Sequence, residues 1–145
     1  MAAESLKTYD PLQIKIIFKG IEFKGFKKGT FVKVSRSTPL WSVQEGSDGF
    51  VTRVRSRSKL GTMEVTLVAA SPTNKQLSDV VRSDAANGDG VAPASVRDLN
   101  GLDKYISEAA FILNPADGEF AEDAGERMWK FQLTNLDMFS GGATI

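Results

Sequence analysis

The side chains able to do acid–base, nucleophilic or metal chemistry are few in this 145-residue chain, because it contains neither histidine nor cysteine. Without histidine it lacks the commonest general base, the commonest zinc ligand and the usual triad member. Without cysteine it can form no disulfide and no thiolate metal site. Carboxylates and lysines remain. The segment Pro115 to Gly125 gathers Asp117, Glu119, Glu122 and Asp123, hard oxygen ligands that could hold a divalent cation. Their spacing is not that of a known calcium loop, and a solvated or interface loop is the simpler reading. Paired carboxylates for glycoside hydrolysis carry almost no signal, since any chain with 18 acids offers such pairs. The run Gly25-Phe26-Lys27-Lys28-Gly29-Thr30 lacks the Gly-Lys-Ser/Thr order of a phosphate loop and reads as a turn. No cofactor and no enzymatic chemistry are expected.

A basic stripe carries more. Arg53, Arg55, Arg57 and Lys59 fall at alternate positions and so share one face of an extended strand. Such a stripe could bind phosphates, with Trp41 and Phe50 close in sequence to stack on bases. It could equally meet an acidic surface of a partner subunit. A net charge of zero favours the protein contact over general nucleic-acid binding. That zero is unevenly spread. Up to Leu60 there are twelve basic against five acidic residues, and from Gly61 onward six against thirteen. The halves therefore carry opposite charge, either as two faces that meet head to tail in neighbouring copies or as local runs scattered over the fold.

The elements that must position these groups are mostly strands. Ile14, Ile16 and Phe18 alternate with Gln13, Lys15 and, less cleanly, Ile17, and Gly20 makes a tight hairpin to Ile21 and Phe23 plausible. Phe31 to Arg36 is a further strand. From Ser37 to Asp48 the pattern weakens, with Pro39, Leu40, Trp41 and Val43, until Gly46 to Gly49 supplies a turn. Phe50 to Lys59 alternates again, and Thr62 to Val68 places Met63, Val65 and Leu67 on one face. One helix is signalled by Ser71 as cap, Pro72 at the first position, the stripe Leu77, Val80 and Val81, and Asn87-Gly88 as terminator. Val96 and Asp98 precede Asn100-Gly101, the strongest short turn signal, and a return strand runs from about Lys104 to Leu113. Arg127 to Met138 is the last strand, with Trp129, Phe131 and Leu133 on one face as core aromatics and aliphatics. The tail Ser140 to Ile145 is glycine-rich and expected to be mobile. The sum is one mainly β domain, residues 1–145, with an extended hairpin or loop at about 36–60 and a single flanking helix. Two packed antiparallel sheets or a barrel are expected. The first ten residues hold no signal-peptide pattern, and no apolar run is long enough to span a bilayer, so a soluble protein made in a cytoplasm is expected.

Read in order, the chain resembles the tail tube proteins of contractile-tailed phages (myovirus-type) and related prophages. The residues that carry the resemblance are Tyr9-Asp10-Pro11 before the first strand, Gly25-Phe26 with Gly29-Thr30-Phe31, and Gly46 with Asp48-Gly49 and Thr52-Arg53. They continue with Ser58, Gly61-Thr62 and Val65-Thr66-Leu67, then Ser71-Pro72 with Asn74 and Leu77-Ser78, and Asp98 with Asn100-Gly101. Pro115-Ala116-Asp117 with Glu119-Phe120, Arg127 with Trp129, and Gly141-Gly142 complete it. The match runs from Tyr9 to Gly142, and no single motif decides it. Lys24 to Lys28 and Ser37 to Val43 are more basic and more apolar than the family pattern. The resemblance implies a tail-tube β-barrel or sandwich fold, hexameric rings stacked into the inner tail tube, and no catalytic residues. It implies as partners further copies of the chain, a tail sheath protein, a tape-measure protein, and baseplate and terminator proteins. Phage DNA would pass through the lumen without specific binding, and the site of action would be the virion tail, assembled in the host cytoplasm. A tail terminator or baseplate tube ring of the same fold is the alternative, and a single-stranded nucleic-acid-binding barrel the third. The residues expected at subunit interfaces are Trp41, Arg53, Arg55, Arg57 and Lys59 on the basic side, and Asp117, Glu119, Glu122 and Asp123 on the acidic side.

Overall fold

The computed structural model describes Leu6 and residues 9–141. The first hairpin follows from two left-handed residues. Lys19 (φ 52°) and Gly20 (φ 77°) connect β1 (Ile14–Phe18) to β2 (Ile21–Glu22), with Phe18 opposite Ile21. Two positive φ values in a two-residue loop match the twist of the strands they join. Next come β3 (Val32–Arg36), β4 (Trp41–Glu45), β5 (Val51–Arg55) and β6 (Gly61–Val68), then the helix α1 (Thr73–Asn87). The chain continues through β7 (Ala92–Asp98), β8 (Lys104–Asn114), β9 (Glu126–Thr134) and β10 (Asp137–Phe139).

Eight of these strands form one antiparallel sheet in the order β2-β1-β7-β8-β9-β6-β3, with β10 alongside β8, while β4 and β5 pair only with each other. Mainly β with one helix is therefore what the residues build. The two layers arise from one sheet bent over itself. Phe131 on β9 meets Phe18 on β1 edge to face, with ring centroids 5.1 Å apart, and lies 5.8 Å from Phe23. Since β7 and β8 lie between β1 and β9 in the hydrogen-bonded order, that contact requires the sheet to curl. Register shifts between β7 and β8 at Ala92/Ala94 and between β8 and β9 at Ile112/Asn114, each with the extra residue in β8, supply the bends, as bulges do at sheet corners. The core is the inward face of the curl: Ile16, Phe18, Met63, Val65, Leu67, Val96, Ala110, Trp129, Phe131 and Leu133, closed by Leu77 and Val80 of the helix. Val81 packs at its margin, half-buried.

The helix is tied to the sheet at its start. Asn74 accepts from Trp129 Nε1 at 2.9 Å and donates to the carbonyls of Val68 (3.0 Å) and Ala69 (3.2 Å). Ser71 Oγ accepts from Thr73 N–H at 3.3 Å and donates to the Lys24 carbonyl, so the expected cap acts from two residues ahead of the first helical residue, with Pro72 rather than Ser71 at the N-cap position. Gly25 (φ 75°) passes so close that a Cβ there would lie 2.7 Å from Ser71 Cβ. At the far end Gly88 adopts the left-handed conformation and its N–H bonds to the Asp84 carbonyl, the αL stop that the Asn87-Gly88 pair implied.

Four expectations need correction. The segment Ser37 to Asp48 contains a strand, β4, whose five residues are all exposed. With no buried face there is no alternation to read. The strand expected over Phe50 to Lys59 ends at Arg55. Beyond it Ser56 N–H still bonds to the Leu40 carbonyl, but Ser56 and Ser58 hydroxyls then accept from backbone N–H groups two residues on, at Ser58 and Leu60, a local alternative to the ladder. The last strand breaks between Thr134 and Asp137, where Asn135 has φ 51° and Leu136 N–H bonds to the Lys59 carbonyl. Asn100-Gly101 does turn the chain, with Gly101 N–H bonded to the Asp98 carbonyl at 3.2 Å, but it does not form a two-residue hairpin loop. Asp98 N–H bonds to the Asp103 carbonyl across a longer loop, and buried Asn100 is used to hold the backbone of Asp10 at 3.1 and 2.9 Å. Of the glycine-rich tail, residues 142–145, with Gly142, lie outside the described residues.

Candidate assembly surfaces

The basic stripe is divided between two settings. Arg53 and Arg55 lie on β5, in a hairpin closed by Gly46 and Gly49, where Gly46 N–H bonds to the Phe50 carbonyl at 2.8 Å. The register sets Trp41 opposite Arg55, Val43 opposite Arg53 and Glu45 opposite Val51. These six side chains therefore share one face, and Ser42, Gln44, Thr52 and Val54 share the other. Arg53 stacks on Trp41, its guanidinium carbon 3.4 Å from the ring centroid, a cation–π contact. The face is otherwise uncovered: Val43 is 70% exposed, Val51 60% and Phe50 at the tip 73%. An isolated two-stranded hairpin is marginal in water, so one that exposes Trp41, Val43, Phe50 and Val51 beside charged groups is suited to being covered by another surface.

Arg57 and Lys59 leave the hairpin and join Arg55 and Arg36 of β3 around an open cleft of about 980 Å³. Leu40, Ser56, Ile106, Asn135 and Leu136 complete its walls, and Glu108 and Asp137 are the acids among them. Arg36 donates from Nη2 to the Ser58 carbonyl at 2.7 Å, which fixes the start of the segment that carries Arg57 and Lys59.

The acidic residues sit elsewhere. Asp117, Glu119, Glu122 and Asp123 are all exposed in the loop joining β8 to β9. The loop is held by Arg127, whose Nη1 donates to the Glu119 carbonyl at 3.4 Å and whose guanidinium lies 5.3 Å from the Phe120 ring. Phe120 itself is 89% exposed. Among the described residues no group of three or more acids is placed to hold a metal ion, and no helix is long and apolar enough to cross a membrane.

The structure thus brings Trp41, Arg53 and Arg55 together and Arg55, Arg57 and Lys59 together, and keeps the acidic set apart from both. Among the described residues the ion pairs are Lys15–Glu22, Lys27–Glu126, Lys75–Asp79 and Lys130–Glu64. None uses a residue of either candidate set. Reasoning from sequence missed Arg36, Glu108 and Asp137, which reach the cleft from three strands far apart in the chain. It also missed Phe120, whose signal was a lone aromatic between acids in a loop.

No family model matches the sequence. Structural protein ORF10 of Pseudomonas phage KPP10 is 28% identical over 143 residues, spanning 93% of this chain and 83% of that protein. Among solved structures, the sheath/tube terminator of an extracellular contractile injection system, PVC, in its extended state gives a TM-score of 0.68 at 12% identity, covering 94% of this chain and 99% of that one. The tube-terminating cap of the anti-feeding prophage gives 0.61 at 8% identity, covering 94% and 93%. The PVC sheath–tube complex gives 0.60 at 12% identity, covering 96% of both chains. These matches are structural proteins rather than enzymes, and the fold of the chain is the tube-type fold of contractile injection systems.

Proposed function

We propose that the chain is a non-catalytic structural subunit of a contractile phage tail, assembling into a hexameric ring at an end of the tail tube as a terminator or baseplate-type ring. The observation that carries this reading is the overlay of nearly the whole chain on the sheath/tube terminator, TM-score 0.68 with 99% of that chain covered, against 0.60 for the sheath–tube complex. The relative from phage KPP10, described as a structural protein, supports the virion tail as its place. The open sheet supports ring formation. Its path ends in β2 on one side and β3 on the other, and such edges are liabilities in a monomer that a closed ring of sheets removes. The basic residues Arg53, Arg55, Arg57 and Lys59 with Trp41, and the acidic residues Asp117, Glu119, Glu122 and Asp123, serve as contacts between subunits or with neighbouring tail parts. Sheath, tape-measure and baseplate proteins are the partners on this reading. DNA passes the ring without specific contacts, and the ring is built in the host cytoplasm.

The second reading is a repeating subunit of the inner tube, favoured by the 96% mutual coverage with the sheath–tube complex. Negative-stain electron microscopy of the purified protein at rising concentration separates the two. Isolated rings at every concentration support a terminal ring. Long hollow tubes with a regular repeat overturn it in favour of the repeating subunit.

A further inference from the structure

The basic cleft and the acidic loop lie at opposite ends of one ladder. The cleft is walled by Ile106 of β8, Asn135 and Leu136 after β9, and Lys59 just before β6. The loop leaves β8 at Asn114 and enters β9 at Glu126, beside the other end of β6, where Ala69 N–H bonds to the Gly125 carbonyl. Strand β9 runs from Glu126 to Thr134 between them. At ~3.4 Å per residue that is roughly 27 Å, too far for the two to meet within one chain.

Each carries an excess of the charge that the other is short of. The loop from Pro115 to Gly125 holds Asp117, Glu119, Glu122 and Asp123 with no basic residue among them. Its Phe120 is 89% exposed in the middle of those acids. The cleft offers four basic groups, Arg36, Arg55, Arg57 and Lys59, against two acids, Glu108 and Asp137, around the apolar side chains of Leu40 and Ile106. Salt bridges inside the chain satisfy neither set. An aromatic anchor flanked by carboxylates complements an apolar-floored cleft rimmed by guanidinium and ammonium groups, because the ring buries area while the charges set orientation.

We infer that the 115–125 loop of one copy seats in the Arg36–Arg55–Arg57–Lys59 cleft of the next, Phe120 toward Leu40 and Ile106 and the four carboxylates toward the basic rim. This rests on the proposal that copies of the chain assemble, and it names the contact by which they do so. The contact is heterologous, tip to cleft. It gives every subunit one donor end and one acceptor end, and so generates a ring when the rotation per step closes and a filament when it does not.

The absence of native cysteine allows a direct test by disulfide trapping. Ala121→Cys marks the loop and Ser56→Cys the cleft, both leaving every charge in place. The control pairs Ala121→Cys with Ala86→Cys, exposed on α1. Single-cysteine variants are mixed at low salt, oxidised and run without reductant, and the same mixture is imaged for rings. The expected result is heterodimer from the loop–cleft pair about tenfold above control. Adding Arg55→Glu with Arg57→Glu to the Ser56→Cys chain abolishes it. Adding Asp117→Lys with Glu119→Lys to the Ala121→Cys chain then restores it. Rings without selective cross-linking overturn this contact and leave the ring proposal standing. Selective cross-linking without rings upholds the contact and overturns the closed ring. Absence of both overturns both.

Discussion

Two antiparallel pairs in this molecule have comparable backbone order and opposite surroundings. In the pair β6–β9 the partners run from Gly61 opposite Leu133 to Val68 opposite Glu126, and Met63, Val65, Leu67, Trp129, Phe131 and Leu133 are buried from one face. In the pair β4–β5 five residues face five, and no residue of either strand is buried. The hydrogen bonds are of the same kind, so they do not separate the two. What separates them is whether a face is removed from water, the larger favourable term in folding. The first pair therefore holds the domain together. The second adds little to it and instead presents Trp41, Val43, Arg53 and Arg55 outward.

The contrast is broken most severely at its buried end. Phe131 is fully buried and touches the rings of both Phe18 and Phe23 across the curl of the sheet. Phe131→Ala is expected to cost about 3–5 kcal/mol, transfer and cavity terms together, read as a lowered urea midpoint. Val43→Ala in the hairpin, lacking any buried contact to lose, should move the same midpoint by no more than about 0.5 kcal/mol. A similar loss at both positions would mean that the hairpin is part of the core and that the comparison is mistaken.

A smaller loss is expected at the ladder's end. A Cβ on Gly61 would lie 2.7 Å from the Ser35 carbonyl and 2.3 Å from Leu136 Cδ2. Leu136 can swing aside, but the Ser35 oxygen belongs to the β3 backbone paired with β6. Gly61→Ala should therefore destabilise by about 1–3 kcal/mol through overpacking, again read in urea. An unchanged midpoint would show that β3 yields at its edge more readily than a central strand.

The same difference explains what could be read from the sequence. Where one face is buried, the chemistry alternates and the strand is visible, as in Met63, Val65 and Leu67 or Trp129, Phe131 and Leu133. The helix was legible because Ser71, the Leu77–Val80 stripe and Gly88 are local signals. Strand β4 was not, since a strand exposed on both faces has no alternation to display. The end of β5 at Arg55 was hidden for a related reason: Ser56 and Ser58 turn the chain by bonding to its own backbone, and Arg57 and Lys59 keep the spacing of a strand without being in one. Asn100 reads as a turn residue and is one, but its amide also holds Asp10, ninety positions away, and no local pattern encodes that. The cleft was beyond reach for the same reason, because Arg36, Glu108 and Asp137 come together only through the order of the sheet.

A small effect on folding is expected where the effect on assembly is largest. In the double variant Arg53→Glu with Arg55→Glu, the stack of Arg53 on Trp41 is lost, a contact worth about 0.5–1 kcal/mol at an exposed site. Neither arginine is in an ion pair with another described residue. The thermal midpoint should therefore fall by only a few degrees, at most 4–8 °C for about 1 kcal/mol in a domain of 60–100 residues and less in one of this length. The reversed charges, however, face whatever the hairpin meets, and like charges brought together at an interface cost several kcal/mol. Folded monomers that form no ring or tube in the electron microscope are the expected result. Normal assemblies from this variant would show that the hairpin faces solvent in the assembled tail and that the cleft contact does not need Arg55, leaving Arg36, Arg57, Lys59 and the strand edges to carry the contacts between subunits.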